Sequence, residues 1–84
     1  MLMKFKERVI INSKPYELDK EDIIKVLKVT SPDNVRKFYI EIEGREYPIT
    51  QALYSTLNLP KVYIKSNVVQ VFLTKLGFEV KSKY

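Results

Sequence analysis

Pro15, Pro32, Gly44, Pro48, Pro60 and Gly77 are the only prolines and glycines of the chain, and each falls where an element should end. Proline locks φ and lacks an amide hydrogen, and glycine reaches positive φ without strain, so both punctuate regular structure. The chain divides at these points into short elements. Its 84 residues leave room for one domain, residues 1–84, near the size at which folding hides roughly 60–65% of the unfolded surface. With 45% apolar residues in regular patterns, the chain is too hydrophobic to be disordered.

From Lys4 to Ile11, Phe5, Val9 and Ile11 alternate as in a strand, with Glu7 on the same face. "NSKP" predicts a turn, and Pro15 to Leu18 a short edge strand, where proline is tolerated. Asp19 is placed to cap a helix over about residues 20–29 that buries Ile23, Ile24 and Leu27, with Glu21 and Asp22 at its positive end and Lys25 and Lys28 at the other. "TSPDN" stops that helix. "KFYIEIE" is the clearest strand, turning Phe38, Ile40 and Ile42 inward. A tight turn at Gly44-Arg45 then predicts a return strand through Glu46-Tyr47.

Pro48 suits the first position of a second helix over about residues 48–58, with Ile49, Ala52, Leu53 and Leu57 inward. Leu59-Pro60 ends it. Ser66 is expected to cap a third helix, about 67–76, that buries Val68, Val69, Phe72, Leu73 and Leu76 and stops at Gly77. "FEVK" should close the chain as a strand beside residues 37–43. The expected fold class is α+β: hairpin, helix, hairpin, two helices, strand. "INSKPYEL" (11–18) and "IEGREYPI" (42–49) run alike before a helix at an offset of 31 residues. With only Ile and Tyr identical, we read that likeness as coincidence.

Charge is divided unevenly. Residues 1–46 carry ten basic and nine acidic groups (+1), whereas residues 47–84 carry five and one (+4). A partner attracted by positive charge should meet the second half. There "KVYIK", read as extended, places Lys61, Tyr63 and Lys65 on one side and Val62 and Ile64 inward, an arrangement that suits a nucleic-acid backbone with a ring for base or sugar. The outer face of the second helix, with Thr50, Gln51, Tyr54, Ser55 and Asn58, is polar and uncharged, able to meet base edges without repelling phosphate.

Other chemistries find little material. Without cysteine or histidine there is no disulfide scaffold, no usual zinc site and no imidazole for nucleophilic catalysis. Lys65-Ser66 reads as a helix cap rather than a Ser–Lys pair. Glu41, Glu43 and Glu46 read as a solvated face paired with Lys or Arg rather than a carboxylate site. Two glycines cannot build a phosphate loop. We therefore expect no catalytic residues, no metal and no cofactor. No apolar run approaches a membrane span, and "MLMKFKERVI" lacks a signal-peptide core, so the expected setting is cytoplasmic with no membrane partner. Abundant Lys and Glu beside absent His, Cys and Trp fit the balance seen in hyperthermophile proteins.

The string "EGREYPITQAL", followed by "LGFEV", resembles the core of the sulfur-binding domains of type IV restriction endonucleases, which recognise phosphorothioate-modified DNA. The resemblance covers roughly residues 37–81. It implies that Tyr47 and Pro48 form an apolar surface cup for the sulfur atom, with basic residues holding the flanking backbone. Ile49, Thr50 and Gln51 stand where the family carries proline, lysine and a small residue.

Together these readings give the expectation of a small non-catalytic nucleic-acid-binding module, for DNA above all. Lys61, Tyr63 and Lys65 would hold the backbone, with Arg45, Tyr47, Pro48 and Gln51 at the hairpin–helix junction. The alternative is a protein-interaction or homodimerising accessory protein that uses an open strand edge or exposed tyrosines.

Overall fold

The computed structural model describes residues 6–83. Two antiparallel sheets and three helices make an α+β fold. Strands β1 (Glu7–Ile11) and β2 (Lys14–Leu18) form the first hairpin, pairing Val9 with Tyr16 and Ile11 with Lys14. Lys4 and Phe5, expected to open this strand, lie outside the described residues. Helix α1 (Lys20–Lys28) follows, then β3 (Phe38–Ile42) and β4 (Arg45–Pro48), then helix α2 (Ile49–Leu57). A single 3₁₀ turn (Lys61–Tyr63) leads to helix α3 (Ser66–Lys75) and the short β5 (Lys81–Ser82). β5 adds to the open edge of β3 antiparallel, giving the order β4-β3-β5. The final strand thus lies beside β3 as expected, but it starts at Lys81 rather than Phe78. Phe78 is instead buried in the core.

Both hairpins turn through two residues at positive φ, Asn12-Ser13 (53° and 64°) and Glu43-Gly44 (52° and 80°). This is the type I′ pattern, whose twist matches that of the flanking strands. The second turn therefore sits one residue earlier than Gly44-Arg45. The two hairpins also share their register at an offset of 31 residues: Ile11↔Lys14 answers Ile42↔Arg45, and Val9↔Tyr16 answers Ile40↔Tyr47. Each hairpin feeds a nine-residue helix. The likeness read as coincidence in the sequence thus coincides with a repeated hairpin–helix architecture.

Helix ends follow from local chemistry. The Asp19 carboxylate accepts the Asp22 amide at 2.8 Å, and the Asp22 carboxylate accepts the Asp19 amide at 3.0 Å, a reciprocal capping box. α2 stops where Asn58 turns left-handed at φ 57° and the Leu59 amide reaches the Tyr54 carbonyl. α3 stops in a Schellman pattern: Gly77 stands at φ 96°, its amide donates to Thr74, and the Phe78 amide donates to Leu73. Lys20 Nζ completes that end by donating to the Gly77 carbonyl at 3.2 Å and lying over the Phe78 ring. At their N-termini α2 and α3 differ from expectation by one residue. Pro48 precedes α2 as its N-cap, and Ser66 is the first helical residue of α3 instead of its cap.

One core joins the three helices with β1, β2, β3 and β4. Val9, Ile11 and Leu18 of the first hairpin meet Ile23 and Leu27 of α1, Ile40 and Ile42 of β3, Leu53 of α2 and Phe72 and Leu73 of α3. α2 lies at the centre, packed against α1, α3, β3 and β4. Tyr47 is wholly enclosed, at 0% exposure, and its hydroxyl donates toward the carbonyls of Leu27 at 2.6 Å and Thr30 at 2.9 Å.

Two outcomes follow from this packing. Tyr47→Phe removes the donor from two carbonyls at the end of α1, and chemical denaturation should show a loss of about 1–3 kcal/mol; an unchanged midpoint would mean that water replaces the hydroxyl. The Asp22 carboxyl is held below the usual carboxylate range, first by the Asp19 amide and then by Lys6, whose Nζ lies 3.6 Å away. A lowered folded-state pKa adds stability above the unfolded value, and that stability is lost as pH falls through the folded one. Asp22→Asn should therefore be less stable than the parent at neutral pH, and the gap should close below about pH 4. Equal gaps at pH 7 and at pH 2 would refute the assignment.

Candidate functional site

Residues 31–37, between α1 and β3, have no regular structure, yet they are held in place. The Asp33 amide donates to Gln51 Oε1 at 2.8 Å, and Gln51 Nε2 donates to the Ser31 carbonyl at 2.9 Å. Gln51 is 2% exposed. Its expected place on the outer face of α2 is therefore corrected: the 31–33 segment folds over that face, and the side chain satisfies backbone groups that would otherwise be unpaired.

Beside this segment lies a groove of about 530 Å³. Arg36 and Lys37 line one part of it, Lys61 of the 3₁₀ turn another, and Ile49-Thr50 and Ser66 bring the starts of α2 and α3 to its wall. Neither helix has a side-chain cap or an acidic residue in its first turn. Free amide groups at a helix start favour negative charge. Among the described residues Asp33 is the one carboxylate that lines the groove. It accepts from the Tyr54 hydroxyl and stands 3.4 Å from Lys61 Nζ, which in turn lies over the Tyr54 ring. Lys37 lies over the Phe38 ring.

The residues singled out in the sequence do not form one cluster. Lys61 and Pro48 line the groove, although Pro48 is buried. Tyr63 and Lys65 border a different depression, with Ile10, Asn12 and Val68. The segment 61–65 is not extended as expected, because its first three residues wind into a 3₁₀ turn. Such a turn advances about 120° per residue, so side chains two apart no longer share a side. Val62, expected inward, is 81% exposed, while Ile64 is buried as expected.

Arg45 is exposed on β4, and its Nη2 donates to the Lys28 carbonyl at 3.0 Å. Strand alternation places Tyr47 on the same face, reaching the same helix end. The resemblance placed Tyr47 and Pro48 in a surface cup; in this fold both are buried. A charge count by halves hides Arg36 and Lys37, because the first half is nearly neutral as a whole. The local signal was "NVRKF", two cations with no acid between Asp33 and Glu41.

The acidic strand face is neutralised, as read from the sequence. Glu41 pairs with Lys81, Glu43 with Lys28 at 3.2 Å and Glu46 with Lys83 at 3.5 Å. The hydrogen bond from Lys81 to Glu41 holds the ammonium above its usual pKa. Among the described residues no helix is long and apolar enough to cross a membrane.

Comparison with protein-family models, with curated proteins and with solved structures finds no match.

Gln51→Leu keeps the volume but leaves the Asp33 amide and the Ser31 carbonyl without partners. Stability should fall by about 1–3 kcal/mol, and hydrogen exchange at the Asp33 amide should accelerate by more than the global loss explains. Exchange that changes no more than global unfolding requires would mean that the loop is held by something else.

Proposed function

We propose that the protein is a non-catalytic, cytoplasmic module that binds the phosphate backbone of nucleic acid, DNA above all, in the groove beside residues 31–37. The observation that carries this reading is the convergence of Arg36, Lys37 and Lys61 on one groove that, among the described residues, holds a single carboxylate. The uncapped starts of α2 and α3 add partial positive charge at the same wall. Ammonium and guanidinium groups on phosphate supply affinity without sequence information. Thr50, Asn34 and the Tyr54 ring are the groups available for sugar or base. The resemblance of "EGREYP" and "LGFEV" to sulfur-binding domains supports DNA as the partner.

In this reading Asp33 competes with phosphate for Lys61. Its carboxylate satisfies the cation in the free protein and must be displaced or tolerated when an anion enters. Such competition keeps affinity modest.

Fluorescence anisotropy with labelled duplex, single-stranded and phosphorothioate duplex DNA between about 50 and 200 mM salt tests the proposal. Three phosphate contacts predict a log–log slope of about −3, and Arg36→Ala/Lys37→Ala should reduce it to about −1. Asp33→Asn should tighten binding several-fold. Because Tyr47 offers no exposed surface, sulfur and oxygen duplexes should bind alike; a marked sulfur preference would instead favour the cup implied by the resemblance. No binding to any probe at low salt would overturn the nucleic-acid reading.

A further inference from the structure

α3 is apolar on two faces. Val69, Phe72 and Leu73 enter the core, whereas Val71 is 58% exposed and Val68 is also exposed. The sequence period had placed Val68 inward; Phe72 and Val69 fill that space first, and β1 stands beside the helix where Val68 emerges. Ile10 of β1, between the buried Val9 and Ile11, is 63% exposed next to it. Strand alternation makes this outward turn unavoidable for a continuous aliphatic run on a half-buried hairpin.

Ile10 and Val68 border two adjoining depressions, one extended by Tyr63 and the other by Val71. Among the described residues every charged one that lines them is a cation: Lys65 in the first, Arg8 and Lys75 in the second. Lys65 and Lys75 have no carboxylate partner among the described residues, and Arg8 stands 3.9 Å from Glu17 at the surface. None of these residues lines the groove beside residues 31–37. The strip is therefore a second surface, and it does not rest on the nucleic-acid reading.

We propose that this strip docks a protein partner: an amphipathic helix with an aliphatic ridge edged by Asp and Glu. Three features select that occupant. The aliphatic side chains border two adjoining depressions, which fit the ridge of a helix. Ile10, Val68 and Val71 give both depressions an aliphatic lining, which an apolar helix face needs, whereas Tyr63 lines only one of the two. Two cations of the rim, Lys65 and Lys75, have no carboxylate partner among the described residues and only Arg8 has one, Glu17, so charge complementarity asks for acid on the partner. A second copy meeting the strip symmetrically would set Arg8, Lys65 and Lys75 against the same three residues, a like-charge contact that opposes pairing.

The test is an NMR titration of the full chain with a designed helical peptide of roughly 18 residues, long enough to hold helix in isolation. The peptide carries leucine at positions i, i+3, i+4 and i+7 and glutamate along its flanks. A matched peptide has lysine in place of glutamate, and vesicles of anionic lipid form a third arm. The acidic peptide should shift the amides of Ile10, Tyr63, Val68 and Val71 and leave those of Arg36 and Lys37 unmoved. It should bind at least about tenfold more tightly than the lysine peptide. Val71→Glu, at an exposed helical position, should keep the circular dichroism of the parent and weaken acidic-peptide binding by a similar factor. The proposal is overturned if the acidic peptide does not bind, if the two peptides bind alike, or if the shifts fall on the groove. Tighter binding to the vesicles would assign the strip to a membrane surface. A dimer in sedimentation that Val71→Glu dissolves would assign it to a second copy.

Discussion

The hydroxyl of Tyr47 meets the end of α1, and much of the remaining structure depends on that contact. A helix leaves its last carbonyls without intrahelical partners, and buried carbonyls need donors. Tyr47 supplies one to Leu27 and Thr30, Arg45 supplies another to Lys28, and Gln51 in the first turn of α2 takes up Ser31 and Asp33. One strand and the helix after it thus fix the path of the chain from residue 27 to residue 33. That path carries Asp33 to Tyr54 and Lys61 and brings Arg36 and Lys37 to the lining of the groove. The three junction residues do structural work that their polar character in the sequence conceals.

Charge is distributed to match. Glu41 and Glu46 face each other across β3 and β4, an unfavourable like-charge pair on its own, and Lys81 and Lys83 from the C-terminal segment neutralise it. Surface pairs of this kind add little to stability. Their effect is on the field: the three-stranded sheet presents nearly balanced charge, while the groove and the α3 strip keep cations without enough acid to balance them. A charge layout of this kind acts on what approaches the molecule more than on its folding.

Local chemistry was the legible part of the fold. Asp19 caps α1, Gly77 ends α3 at positive φ, and the alternation in "KFYIEIE" buries Ile40 and Ile42, each because the deciding neighbours lie within a few residues. The legible part stopped where a distant segment covers a face. Gln51 looked exposed because the 31–33 loop that lies on it is about twenty residues away. "KVYIK" alternates like a strand, but its amides close a local 3₁₀ turn, Tyr63 donating to Pro60 and Ile64 to Lys61. "FEVK" was shifted along the chain because Phe78 was more useful to the core than to a sheet edge, leaving Lys81 and Ser82 to pair with β3.

The sequence by itself therefore determined the elements, their order and the α+β class, since patterning, caps and turns act over a few residues. It also determined the surplus of positive charge in the second half. Tertiary structure alone decided which cations share a surface, separating Lys61 from Tyr63 and Lys65 and joining it with Arg36 and Lys37. It also turned Tyr47 and Gln51 inward and left Ile10, Val68 and Val71 outside. The reason is physical: a side chain's exposure depends on which remote backbone needs a hydrogen bond and which core position is already filled, and neither is encoded within one helical turn.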